Sequence, residues 1–220
     1  MKGIFSYDGF LGQLVNKSLD AVCLSFLWLV FSLPLFTMGA ASTALYYTWH
    51  KVIRQEEGHL FRAFWHSFKS NFKQVTPAWL VFLAFYIIFP VNGYFAYAFY
   101  ATDVMPLGLL IVIGVFAAVV IMHACWLLPY IARFQDTTKV AGKNCIYMMI
   151  MHFPVSVGLL VIFIGSVLLA TGVPLGIAFA PAVCAWLSNL LLEPVFRKYM
   201  SPEDKLLEGI EVLAQTEMEE

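Results

Sequence analysis

Three polar side chains lie in long apolar stretches and are the residues of this sequence most able to do chemistry: Asn92, His123 and His152. His123 lies ten residues before Arg133, and His152 lies nine residues after Lys143. At about 1.5 Å per helical residue, both histidines are expected ~14–15 Å from the same end of adjacent helices, near the middle of the membrane. Two imidazoles at one depth can share a proton, a metal or a substrate hydroxyl, and Asn92 would extend such a path.

The same residues also have a structural interpretation. Each imidazole can hydrogen-bond a backbone carbonyl of a neighbouring helix, and two histidines without a third ligand are a weak metal signal. Asn92 follows Pro90, which is typical either of a plain helix kink or of a broken helix lining a cavity. We therefore predict no metal site.

Motifs of catalysis and cofactor binding are absent from the sequence. It contains no Gly-x-Ser-x-Gly, no His-Glu-x-x-His and no phosphate-binding glycine loop with a lysine. The cysteines stand singly and fit neither a disulfide framework nor a zinc spacing: Cys23, Cys125, Cys145 and Cys184. We expect no catalytic residue and no cofactor, and a protein that is not an enzyme.

Composition indicates where these residues lie. Of the 220 residues, 61% are hydrophobic and 12% are charged, against about 45–50% and about 25% in soluble domains. A soluble chain of this length cannot bury so much apolar surface, which excludes a soluble enzyme and a disordered chain. The net charge of −1 does not favour a nucleic-acid partner. The composition predicts an all-α, polytopic membrane protein whose partner is the lipid bilayer.

Stretches without Asp, Glu, Lys or Arg locate the transmembrane helices. They cover residues 21–50, 74–102, 104–132 and 144–192. The second and third are each long enough for one span, since about 20 helical residues cross a hydrocarbon core of ~30 Å. Thr171-Gly172-Val173-Pro174 divides the last into two spans, about 145–170 and 175–192. Four spans are therefore predicted.

The first charge-free stretch is interrupted by Pro34 and Gly39, and it allows two arrangements. Residues 14–53 form either a helical hairpin with a short return arm or one span followed by an interfacial helix. The total is five to six membrane helices, all within a single domain of residues 1–200.

Basic residues predict the orientation. Eleven of the 13 Lys and Arg residues lie in segments 51–73, 133–143 and 197–205, which the positive-inside rule places in the cytoplasm. A hairpin over 14–53 puts Lys2 and Lys17 on the same side, so we favour the hairpin with both termini cytoplasmic. The expected location is the plasma membrane of a bacterium.

Residues 59–74 are predicted to form an amphipathic helix. An aromatic stripe lies beside a basic one at helical spacing: Phe61, Trp65, Phe68 and Phe72 beside Arg62, His66, Lys69 and Lys73. This pattern is typical of an interfacial helix on anionic headgroups. The alternative is a docking helix for a soluble partner, such as an ATPase subunit.

Residues 201–220 form an acidic cytoplasmic tail with seven acids and one lysine. The spacing of Leu206, Leu207, Ile210 and Leu213 predicts an amphipathic helix. Anionic lipid repels such a segment, so a protein contact suits it better. Two partners remain open: the basic 59–74 helix of the same chain, and another protein.

Several motifs resemble those of the YesL family of bacterial membrane proteins. They are Gly3-Ile4-Phe5-Ser6-Tyr7-Asp8-Gly9, Trp28-Leu29 to Leu33-Pro34, Thr37-Met38-Gly39-Ala40, Ala44-Leu45-Tyr46-Tyr47, Arg54-x-Glu56-Glu57-Gly58, Phe68-Lys69, Asn71-Phe72-Lys73-Gln74, Pro129 to Arg133-Phe134, and Lys143-Asn144. The family is a domain of unknown function from Gram-positive bacteria. The resemblance implies a genomic setting beside carbohydrate ABC importers and implies no catalytic residues.

Three functions follow as hypotheses. The first is an auxiliary protein that assists or regulates a carbohydrate ABC importer through contacts with its subunits. The second is a small transporter or channel for a sugar-related solute, with a path along Asn92, His123 and His152. The third is a membrane structural or assembly factor.

Overall fold

A computed structural model describes residues 10–54, 59–100, 107–173 and 176–200. Within these ranges the chain is helical and contains no strand. The seven α-helices are α1 Phe10–Ser32, α2 Met38–Thr48, α3 Leu60–Tyr100, α4 Leu107–Arg133, α5 Thr138–Met151, α6 Phe153–Gly172 and α7 Gly176–Tyr199. A 3-10 turn, Leu35–Thr37, precedes α2, and a π-helix, Trp49–Arg54, follows it. The acidic tail, 201–220, lies outside the described residues.

Four of these helices are long and apolar enough to cross a membrane: α3, α4, α6 and α7. The prediction of an all-helical chain with four helices able to span a membrane is therefore confirmed within the described ranges. α3 and α4 each include most of one charge-free run, and α6 and α7 divide the run 144–192 between them. Such runs avoid the cost of placing a charge in hydrocarbon.

The span predicted at 145–170 begins later in the structure. The helix breaks at His152, whose backbone has φ −114° and ψ 46°, and α6 starts at Phe153 with Pro154 in its first turn. Proline has no N–H and is favoured there, because the first turn leaves its N–H groups unpaired in any case. The break leaves α5, with 14 residues, as a separate helix of about 21 Å that is too short to cross.

The segment 59–74 is the beginning of α3 and not a separate helix. α3 runs for 41 residues, through Pro77 and Pro90, and is about 60 Å long. One side of its first turns packs on α1, because the Phe31 ring contacts Phe64 and Phe68 with centroids 5.5 and 5.0 Å apart. Phe68, predicted in the aromatic stripe, is therefore in the core.

The region 14–53 contains two helices and the turn between them. α1 and α2 pack together, and the Trp28 indole donates a hydrogen bond of 3.0 Å to Ser42. Most residues of α2 are buried, and it contacts α1, α3, α4 and α7. The small side chains of Ala40, Ala41 and Ala44, all 0% exposed, allow these helices to approach closely. The number of times this region crosses the membrane stays a prediction.

Candidate functional site

A fully buried carboxylate lies on the inner face of α7. Glu193 is 0% exposed and Asn189, one turn earlier, is 1% exposed. Leu192 and Phe196 are buried beside them, so the spacing i, i+3, i+4 and i+7 gives one continuous buried face. A carboxylate on such a face requires a partner, because burying a charge alone is very costly.

That partner is Arg133, the last residue of α4. Its Nε lies 3.0 Å from Oε1 of Glu193, and its Nη2 donates to Oε2 at 3.3 Å. Arg133 is 13% exposed, so the ion pair is largely shielded from water. Attraction between the two charges is therefore stronger than in an exposed pair, and it fixes the end of α4 against α7.

α2 and the π-helix supply two further contacts. The Tyr46 hydroxyl donates to Oε1 of Glu193 at 3.1 Å, and Nδ1 of His50 lies 3.3 Å from the same oxygen. Tyr46 and His50 are four residues apart, so they lie on the same side of their helix. His50 belongs to a π-helix, a rare geometry that is frequent at functional sites. We call Tyr46, His50, Arg133, Asn189 and Glu193 the Glu193 cluster.

His50 has two polar neighbours at one ring nitrogen. Nδ1 lies 3.3 Å from the Asn189 amide nitrogen and 3.3 Å from Glu193 Oε1. With a proton on Nδ1 the ring donates to Glu193, and without it Nδ1 accepts from Asn189. The position of a single proton therefore decides whether His50 bonds the carboxylate or the amide.

With His50 neutral, one carboxylate and one guanidinium give the Glu193 cluster no net charge. Its polar atoms bond to one another across α2, α4, α7 and the π-helix. The cluster can therefore bind one proton at Nδ1 of His50, and its hydrogen bonds hold α2, α4 and α7 in a fixed register.

A second polar group attaches α5 to α3 and α4. The Tyr130 hydroxyl donates to Asp136 Oδ2 at 2.6 Å and accepts from the Asn144 amide at 2.8 Å. The Gln74 amide donates to the Asp136 carbonyl at 2.6 Å, and Thr138 donates to the Gln74 carbonyl at 3.4 Å. This places the first half of α3, the end of α4 and the start of α5 at one end of the bundle.

The described contacts of Asn92, His123 and His152 are with other residues and do not join the three to one another. The Asn92 amide donates to Ile88 O within its own helix, at 2.8 Å, and its side chain is exposed. The His123 ring lies against Phe82 of α3, with centroids 5.6 Å apart. His152 pairs with the Tyr199 hydroxyl, 3.1 Å from its Nε2.

The predicted depth of His152 is also not what the structure shows. The estimate assumed one continuous helix from Lys143, whereas the break at residue 152 separates α5 from α6. His152 lies beside Tyr199, the last residue of α7, next to Arg197 and Lys198. It therefore lies at the end of the bundle and not at the depth of His123.

The predicted interfacial or partner surface on α3 is exposed in most of its parts. Phe61 and Trp65 are 60% and 44% exposed, and the four basic side chains beside them are also exposed. Phe68 is buried and Phe72 is half-buried. We define the α3 outer face as the six remaining residues: Phe61, Arg62, Trp65, His66, Lys69 and Lys73.

Metal-binding side chains do not assemble within the described ranges. No group of three or more His, Cys, Asp or Glu residues there could hold an ion, and the four cysteines form no disulfide.

The Glu193 cluster itself was missed by reasoning from sequence. The sequence places Arg197 four residues after Glu193, an ordinary helical pair, but the structure pairs the carboxylate with Arg133. One signal was present. Arg133 and Glu193 are each the first charged residue after a long charge-free run. Both are therefore expected at the end of a membrane-spanning helix.

Part of the chain resembles a known family. Residues 21–93 match the model of a family described as a protein of unknown function, DUF624. The matched part contains α2, the π-helix, most of α1 and most of α3, and it includes Tyr46, His50 and the α3 outer face. No curated protein and no solved structure matches the chain.

Proposed function

We propose that this chain is an auxiliary integral membrane protein that assists or regulates a bacterial carbohydrate ABC importer through protein contacts. The observation that carries the proposal is the α3 outer face, where Phe61 and Trp65 stay exposed among cations. Aromatic residues and arginine are enriched in protein interfaces and dominate their binding energy.

The adjoining side of the same helix packs on α1. Phe64 is 0% exposed, and Phe31 of α1 contacts Phe64 and Phe68 with ring centroids 5.5 and 5.0 Å apart. Trp65 lies at the edge of the outer face, since it is 44% exposed and its ring also contacts Phe31, with centroids 5.5 Å apart. A face on a fixed helix loses little conformational entropy when a partner binds, so such a surface suits recognition.

The length of α3 favours a partner outside the hydrocarbon core. Its 41 residues measure about 60 Å, against ~30 Å for the core. About half of the helix is thus available outside the core, and the outer face lies in its first 14 residues. A soluble importer subunit, such as the ATPase, is within reach there. This assignment takes the basic residues to be cytoplasmic, as their distribution predicts.

The class of partner comes from the resemblance to the YesL family and its genomic setting. That setting is an association between genes, and the exposed face supplies the physical means of contact. The proposal assigns the chain no reaction and no cofactor.

Transport along Asn92, His123 and His152 has less support, because the three side chains contact different neighbours. An assembly factor without a fixed partner would leave the exposed side chains of Phe61 and Arg62 without a role. Both alternatives therefore enter as outcomes of the test.

The test is co-purification from native bacterial membranes after gentle solubilisation, with importer subunits quantified by mass spectrometry. The variant Arg62→Glu/Trp65→Ala should recover at least tenfold less importer, since two hot-spot residues carry about 2 kcal/mol each and 1.4 kcal/mol is about tenfold. The matched control, Lys143→Glu/Tyr147→Ala, changes an exposed lysine and an exposed tyrosine on α5 and should recover the wild-type amount.

Two results would contradict the proposal. One is a wild-type chain that recovers no importer subunit. The other is an equal loss in both variants, which would make the contact unspecific. A deletion strain that grows poorly on many unrelated carbon sources would favour an assembly factor instead.

A further inference from the structure

The basic end of the bundle carries exposed cations that lack partners within the described residues. This end is formed by the first half of α3, the ends of α4 and α7, and α5. Seven exposed side chains there form no ion pair with any described residue: Arg62, Lys69, Lys73, Lys139, Lys143, Arg197 and Lys198. The two described carboxylates nearby are engaged, since Glu193 is buried on Arg133 and Asp136 accepts from Tyr130.

Negative charge that could pair with these cations is concentrated in one segment of the same chain. Residues 201–220 hold seven of the 14 acids and one lysine, a net charge of −6. The segment follows Met200, whose Sδ lies 3.7 Å from Nη2 of Arg133. It therefore starts at the basic end of the bundle.

The α3 outer face lies within reach of that starting point. Asp136 comes three residues after Arg133, and its carbonyl accepts from Gln74, the neighbour of Lys73. From Lys73 to Arg62 is about 17 Å along a helix. Twenty residues cover about 30 Å as a helix and up to ~70 Å when extended, so the tail can lie along the whole face.

The tail and the α3 outer face are complementary in their apolar residues as well as in their charges. Leu206, Leu207 and Ile210 recur at helical spacing among the acids of the tail. On α3, Phe61 and Trp65 are exposed between the cations. A basic helix with exposed aromatics and an acidic helix with an apolar stripe are complementary in both respects.

We propose that the acidic tail, residues 201–220, binds the α3 outer face of its own chain. Its carboxylates pair with Arg62, Lys69 and Lys73, and its leucines cover Phe61 and Trp65. The tail then competes with any other partner for this face. The intramolecular contact does not rest on the importer proposal and is tested in the purified protein alone.

The test measures how fast individual lysines are acetylated in the full chain, reconstituted in nanodiscs of zwitterionic lipid. The comparison variant neutralises the start of the tail: Glu203→Gln/Asp204→Asn/Glu208→Gln/Glu211→Gln. At an effective concentration of about 1 mM and a contact Kd of about 0.3 mM, the tail protects the bound lysines about fourfold. Lys69 and Lys73 should therefore react about four times faster in the variant, and Lys139 and Lys143 on α5 serve as internal controls with unchanged rates.

A second measurement needs no variant. Carbodiimide joins carboxylates to nearby lysines, so the wild-type chain should give cross-links from the tail to Lys69 and Lys73 that weaken at about 0.5 M salt, where charges are screened.

Three results would overturn the contact. The first is that acetylation of Lys69, Lys73, Lys139 and Lys143 becomes faster by the same factor in the variant. The second is that the tail cross-links only to Lys198, its neighbour in sequence. The third is that Lys69 and Lys73 are protected from acetylation only in nanodiscs that contain anionic lipid. The last result would assign the face to lipid headgroups. A failure to co-purify importer subunits would leave these measurements unaffected.

Discussion

Replacing Arg133 by leucine should destabilise the protein far more than replacing Arg197 by leucine. Arg197 is exposed and four residues from Glu193 on the same helix, whereas Arg133 lies on α4 and pairs with the fully buried carboxylate. The two variants lose the same charge and the same side chain. Their difference therefore measures the value of burial and of contact between helices.

The magnitude follows from the geometry of the cluster. Removing one partner of a buried ion pair costs about 3–5 kcal/mol, mostly because the other charge is left unpaired. Tyr46 and His50 still contact Glu193, and Arg133 is 13% exposed, so we expect about 2–4 kcal/mol for Arg133→Leu. Arg197→Leu, at an exposed position, should cost at most about 0.5 kcal/mol.

A double variant separates loss of attraction from loss of charge. Arg133→Leu/Glu193→Leu removes both charges and leaves no buried ion, so it should recover most of the stability lost in Arg133→Leu. The resulting mutant cycle gives a coupling energy of about 2 kcal/mol or more, within the range for residues in direct contact.

The assay is unfolding in mixed micelles of mild detergent and dodecyl sulfate, followed by tryptophan fluorescence and circular dichroism. Trp126 packs against Phe196, with ring centroids 6.1 Å apart, and Phe196 is three residues after Glu193. The fluorescence of Trp126 therefore responds to changes in packing near the Glu193 cluster. The reasoning is refuted if Arg133→Leu lies within about 0.5 kcal/mol of Arg197→Leu, or if the cycle shows additivity.

Two further predictions concern packing and the attachment of α5. Gly39→Ala should lower the free energy of unfolding by about 1–3 kcal/mol in the same assay, because the added Cβ would lie 2.5 Å from Cβ of Trp79. The control Gly93→Ala should be neutral, because nothing lies within 4 Å of its added Cβ. Equal effects of the two substitutions would contradict the close approach of α2 and α3. Tyr130→Phe removes two hydrogen bonds, one to the loop before α5 and one to α5 itself. Amide hydrogen exchange in the first turns of α5 should therefore become about tenfold faster or more, since each such bond contributes about 1 kcal/mol or more. Exchange rates equal to those of the exposed control Tyr147→Phe would count against this attachment.

The sequence allowed the spans to be located because the constraint on them is strong and local. A charged side chain in hydrocarbon is costly, so most of α3, α4, α6 and α7 lies in the charge-free runs 74–102, 104–132 and 144–192. The run 21–50 covers the end of α1, α2 and the start of the π-helix. The break at His152 was not located, since the charge-free run continues across it. Pro154 was the signal, because proline favours the first turn of a new helix over the interior of an old one.

The Glu193 cluster could not be predicted from local patterns. The pairing with Arg133 depends on how α4 and α7 are placed relative to each other, and the pairing with Tyr46 and His50 depends on the position of α2. Helical periodicity fixes which residues share a face of one helix. It does not fix which face of another helix that face meets, so Arg197 was the natural but incorrect partner.

Packing is uneven along the membrane-spanning helices. Every buried residue of α4 lies between Met122 and Ile131, the part next to Arg133, and the rest of that helix contributes none. In the most apolar windows of α3, α4 and α6, only 11–17% of residues are buried. Lipid is as apolar as leucine, so these surfaces need no cover from the protein, and helices associate in a membrane through packing and polar contacts. The buried residues of α3, α4 and α6 therefore lie mainly towards the basic end, near the Glu193 cluster and the aromatic contacts of Phe31. The other halves of these three helices present apolar surface to lipid, whereas α7 is also buried in its first half.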